Sequence, residues 1–238
     1  MAKLYAGTSG FSYPSWRPDF YPPKLASKKF LSHYATRLNA VEINYTFRQL
    51  PKLSTLEGWL EETPPGFCFV CKAHQRITHI QRLAPGEFTQ LFFKAVDPLR
   101  IKGRLGPILF QLPPNFKLDA ARLAAFLAEV PTDLRTAFEF RNTSWLTGEV
   151  YDLLARHKAA LCLAESDKLE IPHRLTADFT YFRLRKAEYP PEARAEITSQ
   201  TRELLAQGKD VYVFFKHEDD PAGAVYAEEL LRTISPSH

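Results

Sequence analysis

The sequence predicts an α/β fold: a TIM-barrel-like (β/α)8 closed parallel barrel, with one irregular crossover after strand six. Short apolar segments alternate with amphipathic helical segments along the 238 residues, which is the pattern of a parallel sheet covered by helices. The strand-like segments number eight, which favours a closed barrel over an open sheet. Connections that leave the strands are mostly longer than those that return to them, as expected where working loops gather at one end of a barrel.

The eight predicted strands are short segments in which an apolar run gives way to polar residues near the carboxyl end. They cover residues 3–7, 40–45, 67–74, 107–112, 134–141, 159–164, 179–185 and 211–216. Cys68 and Cys71 lie in the third, where a separation of three places them on opposite faces. We therefore expect buried thiols there and at Cys162, and neither a disulfide nor a zinc site.

Helical segments follow nearly every strand and are recognised by apolar residues at i, i+3, i+4 and i+7. The pattern is clear in 31–38, 88–95, 123–130 and 227–234, and weaker in 53–60, 150–154 and 197–205. Ser27 and Asp119 are positioned to cap the first and third of the clear segments. The connection 165–178 shows no such pattern, and it is the predicted irregular crossover.

Length and composition suit one large domain or two small ones, and the predicted barrel is a single domain that spans residues 1–238. With 45% hydrophobic and 13% aromatic residues, the chain can bury a large core. The net charge of +4 is mild and does not by itself indicate nucleic acid or a membrane. An apolar leader and an apolar run of about 18 residues are both absent. We therefore expect a cytoplasmic protein without membrane association, and we predict no protein partner.

Polar residues recur at alternate positions near the carboxyl ends of the strands. Glu139 and Arg141 are the clearest pair, because side chains two apart on a strand share a face. A barrel gathers these strand ends at one rim, where TIM-barrel active sites lie. The predicted rim set is Ser9, Glu42, Asn44, Lys72, His74, Gln111, Glu139, Arg141, Arg183, Arg185 and Lys216.

Cations outnumber carboxylates in this set, which favours an anionic ligand. Arginine binds phosphate or carboxylate oxygens through two donors, and lysine supplies a point charge. Trp16 lies in the aromatic and basic loop 12–24, where it could stack on a base or sugar or could instead cover the barrel mouth. The predicted ligand-binding residues are Ser9, Trp16, Asn44, His74, Gln111, Arg141, Arg183, Arg185 and Lys216.

The predicted catalytic residues are Glu139, Glu42 and Lys72. Glu139 is the first choice for a general base, because neighbouring cations would lower its pKa and favour the carboxylate. In the alternative interpretation, Glu42 and Glu139 pair with Lys72 and Arg141 and only hold the upper barrel layer together.

A divalent metal is a weaker alternative, and we predict no cofactor. His74, Glu42, Glu139 and His217 supply ligand types that suit zinc or manganese. No pair of them has the local spacing of a known metal motif. The excess of positive charge at the rim also opposes a divalent cation.

Six segments in order along the chain resemble the YecE-like proteins, family 72 of the domains of unknown function (DUF72). They are GTSGFSYPSW, EINYTF, KAHQRITH, FQLPPNF, EFRNTSW and YFRLRKAEY. The resemblance implies a TIM-barrel-like fold of a bacterial or archaeal cytoplasmic protein, and it implies no established activity. It points to Glu42, Asn44, Lys72, Gln111, Glu139, Arg141 and Arg183 as the family's polar strand-end set.

The chain departs from the family pattern at two places. Lys216 and His217 stand where members often carry an Asn pair, so a cation replaces amide contacts there. Arg48 stands where Tyr is usual.

Three functional hypotheses follow. The leading one is an enzyme that acts on a phosphate-bearing ligand, a nucleotide or nucleic acid, by hydrolysis, with Glu139 as base and with Arg141, Arg183 and Lys72 binding phosphate. The second is a module that binds nucleic acid or a phosphorylated metabolite without catalysis. The third is an isomerase or lyase for a sugar acid, in which the same base and cations act on a carboxylate.

Overall fold

Eight parallel strands form one sheet that curls into a nearly closed barrel. The structure is a computed structural model that describes residues 1–165, 169–216 and 219–234. The strands lie in the order β3-β2-β1-β8-β7-β6-β5-β4. Their bounds are β1 Leu4–Ser9, β2 Ala40–Ile43, β3 Cys68–Cys71, β4 Ile108–Gln111, β5 Thr136–Glu139, β6 Ala160–Ala164, β7 Phe179–Leu184 and β8 Asp210–Phe215.

The barrel closes between β3 and β4 through a few backbone contacts. Phe69 is bridged to Leu105 and Lys72 to Leu109, both in parallel. The Ala73 amide donates to the Leu109 carbonyl at 2.9 Å. The predicted closed parallel barrel is therefore confirmed, and each predicted strand is present.

Helices connect the strands on the outside of the barrel. They are α1 Phe30–Tyr34, α2 Tyr45–Arg48, α3 Leu53–Glu61, α4 Glu87–Ile101, α5 Ala120–Glu129, α6 Gly148–Arg156, α7 Pro191–Ala206 and α8 Ala222–Ile234. Asp119 caps α5 as predicted, because its side chain accepts a hydrogen bond from the Arg122 amide at 3.0 Å. The predicted Ser27 cap is wrong, since Ser27 lies within a 3-10 turn and α1 begins only at Phe30.

None of the helices in the described ranges has the length and hydropathy that a membrane span needs. The predicted cytoplasmic location stays a prediction.

The connection from β6 to β7 contains no helix among its described residues, 165 and 169–178. Thr176 anchors it to the start of β6: its hydroxyl donates to the Ala159 carbonyl at 2.7 Å and accepts from the Leu161 amide at 2.9 Å. The predicted irregular crossover is confirmed. The outer surface of β6 and β7 is consequently covered by a loop instead of its own helix.

The barrel interior is apolar in its lower part and polar at the carboxyl end. Ala40, Leu109, Ala137 and Tyr181 belong to the buried cluster inside the barrel, together with Cys68, Val70, Cys162, Tyr212 and Phe214. Two residues further along their strands stand Glu42, Gln111, Glu139 and Arg183. The two-residue period of a strand therefore stacks a polar layer directly on the apolar one.

The three cysteines are free and buried, as predicted. Cys68 belongs to the interior cluster, whereas Cys71 packs in the outer cluster under the helices. The two thiols therefore lie on opposite faces of β3.

Close packing of β1 against β2 gives a test of this barrel geometry. A Cβ atom on Gly7 would lie 1.9 Å from the Ala40 carbonyl oxygen and 2.6 Å from the Tyr34 hydroxyl. We expect Gly7→Ala to lower the free energy of unfolding by about 3 kcal/mol, because backbone must move to make room. Urea unfolding followed by circular dichroism measures it.

Gly58→Ala is the matched control. Gly58 lies inside α3, and no atom would come within 4 Å of an added Cβ. We expect this variant to be more stable than the natural chain by up to about 1 kcal/mol, because alanine favours the helix. Equal unfolding midpoints for the Gly7 variant and the natural chain would contradict the strand packing.

Candidate functional site

A buried arginine lies between two buried carboxylates at the mouth of the barrel. Arg183 donates through Nε and Nη2 to the two oxygens of Glu42, at 2.9 and 2.6 Å. Its third nitrogen, Nη1, donates to Glu139 Oε2 at 2.5 Å. All three side chains are at most 3% exposed. We call them the Glu42–Arg183–Glu139 triad.

Two neutral donors complete the surroundings of Glu42. The Ser9 hydroxyl donates to Oε1 at 2.8 Å, and the Tyr181 hydroxyl donates to Oε2 at 2.7 Å. Both donors are buried; Ser9 lies on the neighbouring β1 and Tyr181 on the more distant β7. Glu42 thus has both oxygens engaged and no exposed surface, which keeps it away from a ligand.

Glu139 is surrounded by donors even more completely. The Gln111 amide contacts both of its oxygens at 3.0 Å. Arg141 Nε donates to Oε1 at 3.0 Å, and Arg185 Nη2 donates to Oε2 at 3.3 Å. With Arg183, three guanidinium groups converge on this carboxylate.

These contacts set the protonation of Glu139. Burial alone would raise its pKa, but the positive charges of Arg183 and Arg141 and the Gln111 hydrogen bonds outweigh burial and lower it. The lowered pKa keeps Glu139 ionised, as expected, but both of its oxygens are already engaged by donors. The catalytic roles of Glu42 and Glu139 stay predictions, and the occupied oxygens favour the alternative in which these carboxylates hold the barrel layer together. In that layer Glu139 pairs with Arg141 and Arg183, and Glu42 pairs with Arg183 and not with Lys72.

Lys72 lies in the same layer without such a partner. It follows β3 directly, two residues after the inward-facing Val70. Its ammonium lies 4.1 Å from the centroid of the Phe47 ring, which is a cation–π contact. Among the described residues, no carboxylate lies within 4.0 Å of Nζ.

The surroundings of Lys72 favour its neutral form. Burial and then the positive charge of Arg183 lower its pKa to about 8, and Arg141 adds to this effect. The charges of Glu42 and Glu139 act in the opposite direction but do not compensate. The proton equilibrium of Lys72 is therefore shifted toward neutral pH.

His79 also packs against Phe47 at the mouth of the barrel. It lies in a single turn of π-helix, Arg76–Ile80, and its ring packs edge-on against Phe47 at 5.1 Å between centroids. Burial, followed by the charges of Lys72 and Arg141, lowers its pKa. No periodic pattern marks position 79, so the turn geometry alone brings it to Phe47.

Two predicted ligand-binding residues have other roles in the structure. Trp16 is completely buried and packs against Tyr13, Phe20 and Tyr21, so its ring has no face for a ligand. Both nitrogens of the His74 ring contact backbone: Nε2 lies 3.1 Å from the Arg48 carbonyl, and Nδ1 accepts from an amide. We therefore remove Trp16 and His74 from the ligand set.

The remaining predicted residues lie at the edge of the mouth. Asn44 is half-buried and precedes α2 without capping it through its side chain. Lys216 is exposed just after β8, and its amide donates to the Leu184 carbonyl at 2.9 Å. His217 lies outside the described residues. Within residues 1–165, 169–216 and 219–234, no three potential ligand side chains are grouped to hold a metal ion.

A cavity of about 790 Å³ opens beside the triad. Glu139, Arg141 and Arg185 line its inner end. It extends over the outer faces of β6 and β7, along the irregular crossover and α7, where it is lined by Leu163, Ile171, Phe182, Leu184, Tyr189 and Ile197. The space exists where a regular barrel would have a helix after β6.

Arg185 stands at this inner end with a donor unused. Its Nε is buried and has no hydrogen-bond partner among the described residues. Glu165 fixes the backbone beside it, because Oε2 accepts from the Arg185 amide at 2.7 Å. The neighbouring Arg141 side chain is 38% exposed. Two guanidinium groups therefore face the cavity.

One protein family matches nearly the whole chain. A family model described as a protein of unknown function, DUF72, covers residues 5–237. The chain belongs to the DUF72 family. The resemblance drawn from the strand-end segments is thereby confirmed.

Relatives of this DUF72 chain share its fold. UPF0759 protein YunF of Bacillus subtilis is 31% identical over 156 residues, which are 63% of this chain and 54% of YunF. The alignment thus spans about half of that protein. The name of YunF assigns no activity.

Two solved structures superpose on this chain. A DUF72 family protein from Thermotoga maritima is 28% identical with a TM-score of 0.84, covering 98% of this chain and 99% of that one. A DUF72 family protein from Enterococcus faecalis is 19% identical with a TM-score of 0.80, covering 100% and 97%. The second likeness concerns the fold alone.

The triad predicts a large loss of stability when Arg183 is removed. We expect Arg183→Met to lower the free energy of unfolding by about 3–5 kcal/mol, because it leaves two buried carboxylates unpaired. Arg100→Met is the matched control: Arg100 pairs with Asp97 and Asp133 on the surface, and its loss should leave the free energy of unfolding nearly unchanged. Similar losses in the two variants, measured by urea unfolding, would contradict the buried triad.

Removing Lys72 is expected to have the opposite effect. Its pKa in the folded chain, about 8, is below the ordinary 10.5, so folding disfavours the charged form and the cost is complete below about pH 8. We expect Lys72→Met to raise the free energy of unfolding at pH 7 by about 2 kcal/mol. The gain should shrink as the pH rises toward 10.5.

Lys94→Met serves as the control, because Lys94 is exposed on α4. We expect it to change the free energy of unfolding by less than about 0.5 kcal/mol at any of these pH values. A Lys72→Met variant that is less stable at pH 7 than the natural chain would show that the charge is not disfavoured.

Proposed function

We propose that this DUF72 chain is an enzyme for a compact ligand that carries a phosphate group, bound at the carboxyl-terminal mouth of the barrel. Arg141 and Arg185 hold the phosphate. The observation that carries the proposal is the buried, unpartnered Nε of Arg185 at the inner end of the cavity. A buried donor without an acceptor costs free energy, and an anionic ligand oxygen would satisfy it.

The triad supports this role by fixing the two arginines. Each donates to Glu139, which is itself held by Arg183 and Gln111. Guanidinium groups anchored in this way lose little conformational freedom when an anion binds, so more of the interaction free energy appears as affinity. The carboxylate also prevents repulsion between the cations in the empty mouth.

The cavity favours a small molecule over nucleic acid. A volume of about 790 Å³ is in the range of metabolite sites. Glu165, Glu170 and Glu196 also line the cavity, and their charges would repel a continuous polyanion. Apolar residues of β6, β7 and α7 contact the uncharged part of the ligand instead. A nucleotide or sugar phosphate fits this distribution.

The reacting group is Lys72 and not Glu139. Hydrolysis with Glu139 as base, the leading hypothesis from the sequence, would require a carboxylate with a free lone pair near the ligand. Glu139 has both oxygens engaged. Among the described residues Lys72 has no carboxylate partner, and the charges of Glu139 and Arg141 act on it.

Ligand-induced thermal stabilisation tests the anion site. We expect adenosine monophosphate and ribose 5-phosphate to raise the melting temperature, and adenosine and ribose to have no effect at the same concentrations. Arg185→Met should weaken binding of the phosphorylated compounds about 10–100-fold, because it removes charge-assisted hydrogen bonds. Arg100→Met, far from the mouth, should bind them like the natural chain.

Salt dependence distinguishes a compact ligand from nucleic acid. Affinity for a short single-stranded oligonucleotide would fall steeply with salt if several phosphates were neutralised. We expect a shallow dependence with a phosphorylated metabolite. Tight, strongly salt-dependent oligonucleotide binding without any effect of the small phosphates would overturn the proposal.

A further inference from the structure

The cavity beside Glu139 has an apolar floor that belongs to two neighbouring strands. Leu163 on β6 is paired with Phe182 on β7 in the parallel register, and both line the cavity together with Leu184. These three side chains belong to the outer cluster under the helices, because side chains on a strand alternate faces and Arg183 points inward. A ligand in the cavity therefore rests on an apolar surface instead of on hydrogen-bonding groups.

The floor continues directly from the proposed phosphate site. Arg185 is the next residue after Leu184 and stands three residues after Phe182. A strand rises about 3.3 Å per residue, so Phe182 lies roughly 10 Å from Arg185 along the chain. The Arg185 guanidinium points still further away, toward Glu139. A single sugar attached to a phosphate at Arg185 falls short of Phe182, whereas a base carried by that sugar reaches it.

The walls of the cavity add polar groups to this apolar floor. On α7, Ile197 lies between the polar residues Glu196 and Gln200, and all three line the cavity. On the crossover, His173 lines it as well. The centroid of the His173 ring lies 6.5 Å from that of Phe182, with the two rings tilted by 54°. The cavity therefore offers hydrogen-bonding groups at its walls and hydrocarbon and aromatic surface at its floor.

A nucleobase matches this distribution better than a sugar or an alkyl chain does. Its flat faces are apolar and stack on aromatic side chains, whereas its edge carries hydrogen-bond donors and acceptors. Hydroxyl groups of a sugar placed on the floor would lose water without gaining a hydrogen bond, which costs free energy. An alkyl chain would pack on the floor but would offer no hydrogen bond to the polar walls.

We infer that the ligand is a nucleoside monophosphate whose base lies on the floor formed by Leu163, Phe182 and Leu184. The inference rests on the proposed phosphate site, because Arg141 and Arg185 hold the other end of this ligand. The ribose spans the distance between the two ends. A volume of about 790 Å³ accommodates phosphate, ribose and base together. The base subsite lies on the outer face of β6 and β7, where the crossover stands instead of a helix.

A graded series of ligands measures the contribution of the base. Inorganic phosphate, ribose 5-phosphate and adenosine monophosphate are titrated into the full chain by calorimetry at one salt concentration. We expect adenosine monophosphate to bind about 10–100-fold more tightly than ribose 5-phosphate, because only its base contacts the floor. Hexyl phosphate, which has an apolar chain without a polar edge, should bind more weakly than adenosine monophosphate.

Ile197→Asn tests the base subsite without altering the buried floor. Ile197 is half-buried on α7, and an amide there would meet the face of the base. We expect this variant to lose most of the advantage of adenosine monophosphate and to bind ribose 5-phosphate like the natural chain. Ile101→Asn is the matched control, because Ile101 is 70% exposed at the end of α4 and does not line the cavity.

Photolabelling locates the base on the natural chain. In 8-azidoadenosine monophosphate the photoreactive group is on the base, so light attaches the compound to residues beside the base. We expect the labelled peptides, located by mass spectrometry, to contain residues 169–173 of the crossover or 193–200 of α7. Adenosine monophosphate should compete with the labelling. Labels distributed over other surfaces would overturn the base subsite.

The outcomes separate the two proposals. If adenosine monophosphate and ribose 5-phosphate bind equally and Arg185→Met weakens both, the phosphate site stands and the base subsite is wrong. If hexyl phosphate binds as tightly as adenosine monophosphate, the floor accepts any apolar group and the nucleoside is excluded. If adenosine monophosphate labels the crossover or α7 but Arg185→Met has no effect, the base subsite stands and the phosphate site is wrong. Absence of binding by all four compounds would overturn both.

Discussion

The charge balance around Arg183 is the constraint on which the barrel mouth depends. Two carboxylates at the end of β2 and β5 are buried inside an apolar barrel, where an unpaired charge costs several kcal/mol. Arg183 neutralises both because its fork binds Glu42 through two nitrogens and leaves a third for Glu139. Lysine could not make this bridge, since its point charge lacks the planar fork. The triad thereby links β2, β5 and β7, which are not neighbours in the sheet.

That arrangement gives the carboxylates and the cations at the mouth different environments. Both oxygens of each carboxylate are engaged by donors, so the carboxylates position the cations around them. Arg141 and Arg185 remain partly exposed, and Lys72 has no carboxylate partner in the part of the chain that the structure describes. The same burial that makes the triad costly also lowers the pKa of Lys72. Stability and reactivity at this site therefore have a common origin, because the environment that stabilises paired charges penalises an unpaired one.

Much of this could be predicted from the sequence, because the two-residue period of a strand places Glu139 with Arg141 and Tyr181 with Arg183. The pairing of Arg183 with Glu42 and Glu139 could not be predicted, because it depends on the distances between strands that are far apart in sequence. The signal for Tyr181 was present in its spacing from Arg183. The burial of Trp16 could not be predicted for another reason. An aromatic residue in a loop can face a ligand or pack into the core, and Trp16 packs against Phe20 and Tyr21.

The irregular crossover then determines where a ligand can lie. A helix after β6 would cover Leu163 and Phe182, and the cavity beside Glu139 would be filled. Because a loop stands there instead of a helix, a largely apolar space remains. It begins at Arg141 and Arg185 and runs outward along α7. The triad and Lys72 belong to the barrel, whereas the far end of the cavity belongs to the crossover and α7. The physical consequence is a separation of roles: changes in the outer residues would alter which compound fits the cavity, without disturbing the charges of the triad.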